Sequence, residues 1–197
     1  MSSILEKAKK FLDNHPEGQA LTDLELYRWP SRDGVKCPLC NGWRLYKEQR
    51  KGKPGFYRCP MLHQMDGRTH ARPYVFSVRS GTILEHSRVP LSKWLYCLGS
   101  VPPSINNQRG VCAAELARLI DVTRRTATLM LELLRMMDHY FWFDMRPVTL
   151  KSSHPATRAM EKFYAQPEQN DFLMRYREEM LGPNVAPVKA PAAISAG

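Results

Sequence analysis

The sequence predicts an α+β protein: short helices, then a small strand-rich segment, then a helical domain, and last a disordered C-terminal tail. Three observations lead there. Apolar residues recur at helical spacing near the N-terminus and again in the second half of the 197-residue chain. Between those stretches, short aromatic and β-branched runs are separated by glycine and proline. From Gly182 onward, Pro183, Pro187, Pro191 and scattered Ala and Ser offer too little apolar surface to order a backbone.

The elements follow in order. Residues 4–12 carry Ile4, Leu5, Ala8, Phe11 and Leu12 at helical spacing, and His15-Pro16-Glu17-Gly18 predicts a turn. Thr22 and Asp23 are placed to cap a second short helix through Leu26, which Trp29-Pro30 ends because proline restricts the residue before it. Residues 1–27 are thus N-terminal helices. In 28–90, strands are expected at 44–46, 55–58 and 74–78. In 91–145, helices are expected at 91–98, 112–120 and 124 to about 143, with a hinge-like loop over 99–110. A C-terminal helical extension, 146–181, precedes the disordered tail, 182–197. There is no internal repeat.

Composition narrows the class. With 43% hydrophobic and 24% charged residues, global disorder and a collagen-like fibre are both excluded. No run approaches the roughly 18 apolar residues of a membrane span, and Glu6, Lys7, Lys9 and Lys10 interrupt any secretory signal, so a cytoplasmic protein without a membrane partner is expected. The net charge is +10 and the pI about 9.6. Segment 28–79 alone holds twelve cations against Asp33, Glu48 and Asp66, a net +9. A field so localised predicts a nucleic-acid footprint rather than an evenly solvated basic surface.

The same segment carries metal-ligand spacing. The five cysteines are an odd number, and in a reducing compartment a Cys37-Pro38-Leu39-Cys40 pair points to metal ligation rather than disulfides. Cys37, Cys40, Cys59 and His63 form C-x2-C-x18-C-x3-H. A tetrahedral Zn2+ needs four ligands at about 2.0 to 2.3 Å, and two tight turns can each present two. Asn41 or Gly42 can take the left-handed backbone that closes the first turn. His70 is a rival to His63 as fourth ligand. Were Cys59 merely a small core residue and His63 a surface side chain, the Cys37 and Cys40 pair would go unexplained. A catalytic ion would keep an open position beside a carboxylate, for which Glu48 and Asp66 are the local candidates. A closed structural site suits a segment with so few apolar residues, because metal binding then contributes directly to folding. Cys97 and Cys112 are expected in the core.

A helix-turn-helix pattern follows. Ala113, Leu116, Ala117 and Ile120 sit at i, i+3, i+4 and i+7, and Asp121-Val122-Thr123-Arg124 makes a turn. Thr123 is placed to cap the next helix, whose inward stripe is Ala127, Met130, Leu131, Leu134 and Met137 or Asp138. A short helix, a tight turn and a longer helix opening with Arg124, Arg125, Thr126 and Thr128 match a pair in which the second helix enters the major groove. Arg124 and Arg125 at a helix N-terminus oppose the dipole, which hints at another reason for them. The expected base-reading residues are Arg124, Arg125 and Thr128, with Thr126 also expected on the DNA, and the expected phosphate contacts are Arg44, Lys47, Arg50, Lys51, Lys53 and Arg58. The aromatic run 139–143 is expected in the core or in a contact between two copies.

Several ordered motifs carry a resemblance: Arg28-Trp29-Pro30 leading into Cys37-Pro38-Leu39-Cys40, then Tyr57-Arg58-Cys59, Phe76-Ser77-Val78 with Gly81-Thr82-Ile83-Leu84, Ser87-Arg88-Val89-Pro90-Leu91-Ser92-Lys93-Trp94, and Ala114-Glu115-Leu116-Ala117-Arg118. Over 27 to about 139, the chain resembles the N-terminal part of bacterial insertion-sequence (DDE-type) transposases, a zinc ribbon followed by a helix-turn-helix. In that family these parts bind DNA and a separate domain with an acidic triad performs strand transfer. Here the usual closing Cys-x2-Cys is replaced by Cys59-Pro60-Met61-Leu62-His63 and an insertion through Arg72. Only 59 residues follow Asp138, too few for a two-metal nuclease, so Asp144, Glu161, Glu168 and Asp171 are expected on the surface.

The resulting expectation is a sequence-specific binder of double-stranded DNA on the bacterial nucleoid, loaded with Zn2+. It would act as a regulator or transposition accessory without catalysis, with a transposase or a second copy as protein partner. A catalytic transposase subunit, and a ribbon contacting the transcription machinery, are the alternatives.

Overall fold

The computed structural model describes residues 3–30, 34–50, 53–65, 68–70, 73–102, 111–143, 161 and 163–182. Helix α1 (Ile4–Asn14) starts at a capping box: the Ser3 hydroxyl accepts from the Glu6 N–H at 3.2 Å, and the Ser3 N–H donates back to Glu6 at 2.7 Å. Helix α2 (Glu17–Arg28) begins five residues before the expected cap. Pro16 and Gly18, which predict a turn, instead open a helix, because the proline lies just before the first turn and loses no helical hydrogen bond there. Thr22 then sits inside the helix, its hydroxyl donating to the Gly18 carbonyl at 3.1 Å.

Three antiparallel strands, β1 (Tyr46–Arg50), β2 (Lys53–Cys59) and β5 (Tyr74–Ser77), form a sheet in the order β1-β2-β5. Where an insertion was expected, β3 (His63–Met65) and β4 (Arg68–His70) pair as a separate antiparallel ladder. The expected strand 44–46 overlaps β1 only at Tyr46, since Arg44 and Leu45 lie before the first residue paired with β2. On β2, Gly55 takes φ 80°, a conformation that strains any other residue, and a Cβ there would stand 2.7 Å from the Leu21 side chain of α2, which would have to shift.

The helices share one apolar core. Ala8, Ala20 and Leu24 meet Ile83 and Leu84, Trp94, Leu95 and Leu98 of α3 (Leu91–Ser100), Leu116 of α4 (Ala113–Leu119), and Met130, Leu134 and Met137 of α5 (Arg124–Phe143). A 3₁₀ turn, Pro167–Asn170, leads into α6 (Asp171–Leu181), which adds Phe172, Leu173, Met174 and Tyr176 to the same core. The turn between α4 and α5 is a Schellman closure: Asp121 takes φ 50° and the Val122 N–H donates to the Ala117 carbonyl at 3.0 Å. Lys93 of α3 donates to the Asp121 carbonyl at 2.7 Å, fixing that turn to the core. Thr123 caps α5 as expected, accepting from the Thr126 N–H at 3.1 Å.

Two details differ from expectation. Cys97 is fully buried, but Cys112 is exposed, because it precedes α4 rather than lying on its inner face. The inward stripe of α5 takes both Met137 and Asp138. Asp138 is tolerated there because the fully buried Arg177 of α6 grips both its oxygens, at 2.7 and 2.9 Å, and donates to the Leu98 carbonyl at 2.7 Å. The loop residues 103–110 and the tail 183–197 lie outside the described residues. No helix among the described residues is long and apolar enough to cross a membrane.

Breaking a buried pair leaves an uncompensated charge. Asp138→Ala is therefore expected to cost about 3–5 kcal/mol, read from the denaturant midpoint. Glu168→Ala, at an exposed position, is expected to stay within about 0.5 kcal/mol.

Candidate metal centre

Two local structures build the site. In the first, the Asn41 N–H donates to the Cys37 carbonyl at 2.8 Å and the Cys37 N–H donates to the Gly42 carbonyl at 3.0 Å, closing a tight loop. Of the two residues able to take the left-handed backbone, Asn41 does so, at φ 53°. Gly42 serves differently: a Cβ there would stand 3.1 Å from the Cys40 sulfur, so its absence makes room for the ligand. In the second, Cys59 ends β2 and His63 opens β3, with Pro60, Met61 and Leu62 bridging them.

These turns bring Cys37, Cys40, Cys59 and His63 together, with all four ligand atoms within 4.8 Å of one another. The Cys40 and Cys59 sulfurs are 3.8 Å apart, and the Cys37 sulfur is 3.6 Å from His63 Nε2. A tetrahedral zinc with bonds of about 2.3 Å to sulfur and 2.0–2.1 Å to nitrogen requires roughly 3.8 Å and 3.6 Å for those two separations. The donor set and its spacing therefore fit a zinc-sized ion. Cys37, Cys59 and His63 are buried and Cys40 lies at the rim. His70 pairs with His63 in the β3–β4 register, but its side chain lies outside the described residues.

Apolar support around the four is thin but ordered. Cys37, Cys59 and Phe76 are the fully buried members of the lobe, with Trp29, Val35, Leu45, Tyr57 and Tyr74 packed against them. Tyr74 stacks on Phe76 at 5.7 Å and meets the His63 ring edge-on at 5.6 Å, orienting the imidazole. Burial, reinforced by the neighbouring Cys59, pushes the Cys37 thiol up to about 12, against the pull of backbone hydrogen bonds from Leu39 and Cys40. Glu48, a candidate base for catalytic zinc, is instead engaged by Arg58 at 2.7 Å, and Asp66 lies outside the described residues.

The cations of segment 28–79 whose side chains are described include two kinds. Arg28 and Arg79 turn inward. Arg28 donates to the Val78 carbonyl at 2.6 Å and to Gln169 at 2.8 Å, and burial holds its guanidinium down to about 10. Gln169 in turn donates to the Pro38 carbonyl at 3.5 Å, tying the cysteine turn to the base of α6. Arg79 donates to the carbonyls of Ser87 and Val89 and to Glu17. These two arginines hold structure and do not belong to a polyanion footprint, which a count of charges could not reveal.

Of the expected phosphate contacts, Arg44, Lys47 and Arg58 are exposed. Arg44 lies over the Trp43 ring at 5.6 Å, Arg58 pairs with Glu48, and the charge of Lys47 partly offsets the upward push of burial on the Glu25 carboxyl of α2. Lys51 lies outside the described residues, as do the side chains of Arg50 and Lys53. On α5, Arg124, Arg125 and Thr128 are exposed. Thr128 donates to the Arg124 carbonyl at 3.0 Å, and the Thr126 hydroxyl is joined to that of Thr123 at 2.8 Å, so both threonines are partly committed to the helix itself. Trp43 and Tyr46, outside the residues expected to bind, are 70% and 64% exposed. The available signal was their position, directly after the cysteine turn and before any buried strand.

Because the cysteines must lose protons to bind metal and burial holds Cys37 protonated, binding releases protons and affinity rises with pH. We expect about one zinc per chain by elemental analysis, tighter binding at pH 8 than at pH 6 in competition with a chromophoric chelator, and loss of one ion with Cys59→Ala. Equal affinity at both pH values would contradict thiolate ligation. No protein-family model, curated protein or solved structure matches this chain.

Proposed function

We propose that this protein binds double-stranded DNA as a zinc-ribbon and helix-turn-helix module, in the manner of a transposase-derived regulator or transposition accessory on the nucleoid, without strand-transfer chemistry of its own. The observation that carries this reading is the exposure of Arg44, Lys47 and Arg58 around a Cys3His cluster, in a chain whose α5 opens with exposed Arg124 and Arg125. Zinc would hold Cys37, Cys40, Cys59 and His63 together and so present the β1–β2 cations to phosphates. The tight α4–α5 turn would set the first turn of α5 toward base edges, where arginine suits guanine. The dipole cost of two arginines at a helix start is offset once phosphate or guanine oxygens lie opposite them.

Duplex affinity is expected to fall with salt. If about six phosphates are engaged, log K should decline against log salt with a slope of roughly −5 in a fluorescence-anisotropy titration. Arg124→Ala or Arg125→Ala should weaken binding by about 1–3 kcal/mol. A salt-independent affinity, or none for duplex at low ionic strength, would remove the reading. Metal-dependent cleavage by the isolated protein would move it to the catalytic alternative.

A further inference from the structure

The aromatic residues of the sheet lobe fall into two sets. Trp29, Tyr57, Tyr74 and Phe76 contact one another edge to face, tilted or stacked and pack around Cys37 and Cys59. Trp43 and Tyr46 stay out of that cluster, 70% and 64% exposed. Their positions are not accidents of a loose loop. Trp43 directly follows Gly42, whose backbone is hydrogen-bonded to Cys37, and Tyr46 is the first residue of β1, opposite Arg58. Three residues apart, their Cα atoms lie within about 10 Å of one another.

Their neighbourhood has a definite chemistry. The Arg44 guanidinium sits 5.6 Å from the Trp43 ring centroid. Arg58 shares the Tyr46 face of the sheet, since residues directly opposite in an antiparallel ladder point the same way. The acid nearby, Glu48, is neutralised by Arg58 at 2.7 Å. A protein-binding patch needs apolar area with few charges at its centre. Here the rings are interleaved with the exposed cations Arg44 and Arg58. That combination complements a ligand with a polyanionic backbone and free π-faces. In a duplex the base faces are closed by stacking, so rings of this kind can meet bases only where they are unpaired.

We propose that Trp43 and Tyr46 form a stacking platform for unpaired nucleobases, so that the ribbon engages single-stranded or melted DNA while α5 addresses duplex. The proposal deepens the DNA-binding reading above and names the substrate state that this face of the lobe takes. Holding the rings on a turn clamped by the ligand residues lowers the ordering cost of each stack. Arg44 meets the flanking phosphate, and Arg58 keeps Glu48 from repelling it.

The test uses the full-length, zinc-loaded protein with labelled oligo(dT) and a duplex of equal length. Wild type is expected to bind oligo(dT), with quenching of tryptophan fluorescence. Trp43→Ala with Tyr46→Ala should weaken oligo(dT) binding by about tenfold or more and leave duplex affinity within about twofold. Trp43→Phe, which keeps a ring, should retain most of the oligo(dT) affinity while losing most of the quench, and this arm stands even if the double variant loses zinc. Absence of oligo(dT) binding, or binding indifferent to both variants, overturns the platform while duplex binding survives. A sedimentation dimer that the double variant abolishes, with oligo(dT) binding unchanged, also overturns it and assigns the face to self-association. If duplex binding alone is missing, the groove-reading role of α5 fails and the platform stands.

Discussion

The constraint on which the sheet lobe depends is that it has almost no interior of its own. Among the described residues, two of the three members of its buried apolar cluster are Cys37 and Cys59. Full burial of one phenylalanine is worth about 1.5–3 kcal/mol, far less than the entropy of ordering strands and turns over dozens of residues. Its own residues gather around Cys37, Cys40, Cys59 and His63, whose separations of 3.6 and 3.8 Å fit an ion with zinc's bond lengths, and Arg28 and Gln169 tie it to the helices. Everything on its surface inherits its position from that point. The exposed arginines and rings are displayed by a frame without enough hydrocarbon to hold itself.

Charge obeys the same economy of space. The inward arginines, Arg28 and Arg79, spend their donors on carbonyls where chain segments cross, and Arg177 does so at the centre of the helical core. These guanidiniums satisfy backbone groups that no helix or ladder reaches. What faces solvent near the cysteine turn is a smaller, more specific set than the sum of the basic residues, and it stands among aromatic rings.

Much of this was legible in the sequence where the signal is periodic or spaced. α5 runs over 124–143 as expected because a long amphipathic stripe and a threonine cap specify it together. The four ligand residues of the expected C-x2-C-x18-C-x3-H pattern meet in one cluster. Legibility failed where one residue type serves two structures. Pro16 and Gly18 are turn formers, yet they open α2 because Ala20 and Leu24 bury against the core. The insertion after Cys59 looked irregular because β3 and β4 span only three residues each, too short for an alternation to show. Asp138 fell on an inward stripe, and its partner lies 39 positions away, where no local pattern points to it.

The last helix also sets the order in which the molecule can be completed. Tyr27 donates to Glu179 at 2.5 Å, Arg175 donates to the Tyr27 carbonyl at 2.9 Å, and Arg28 reaches Gln169. These partners are separated by 141 to 152 positions along the chain. Ribosomes emit about 5–20 residues per second, so the opening helices wait many seconds, their inner surfaces uncovered, before α6 emerges. Over that interval a nascent chain is a natural client for chaperones.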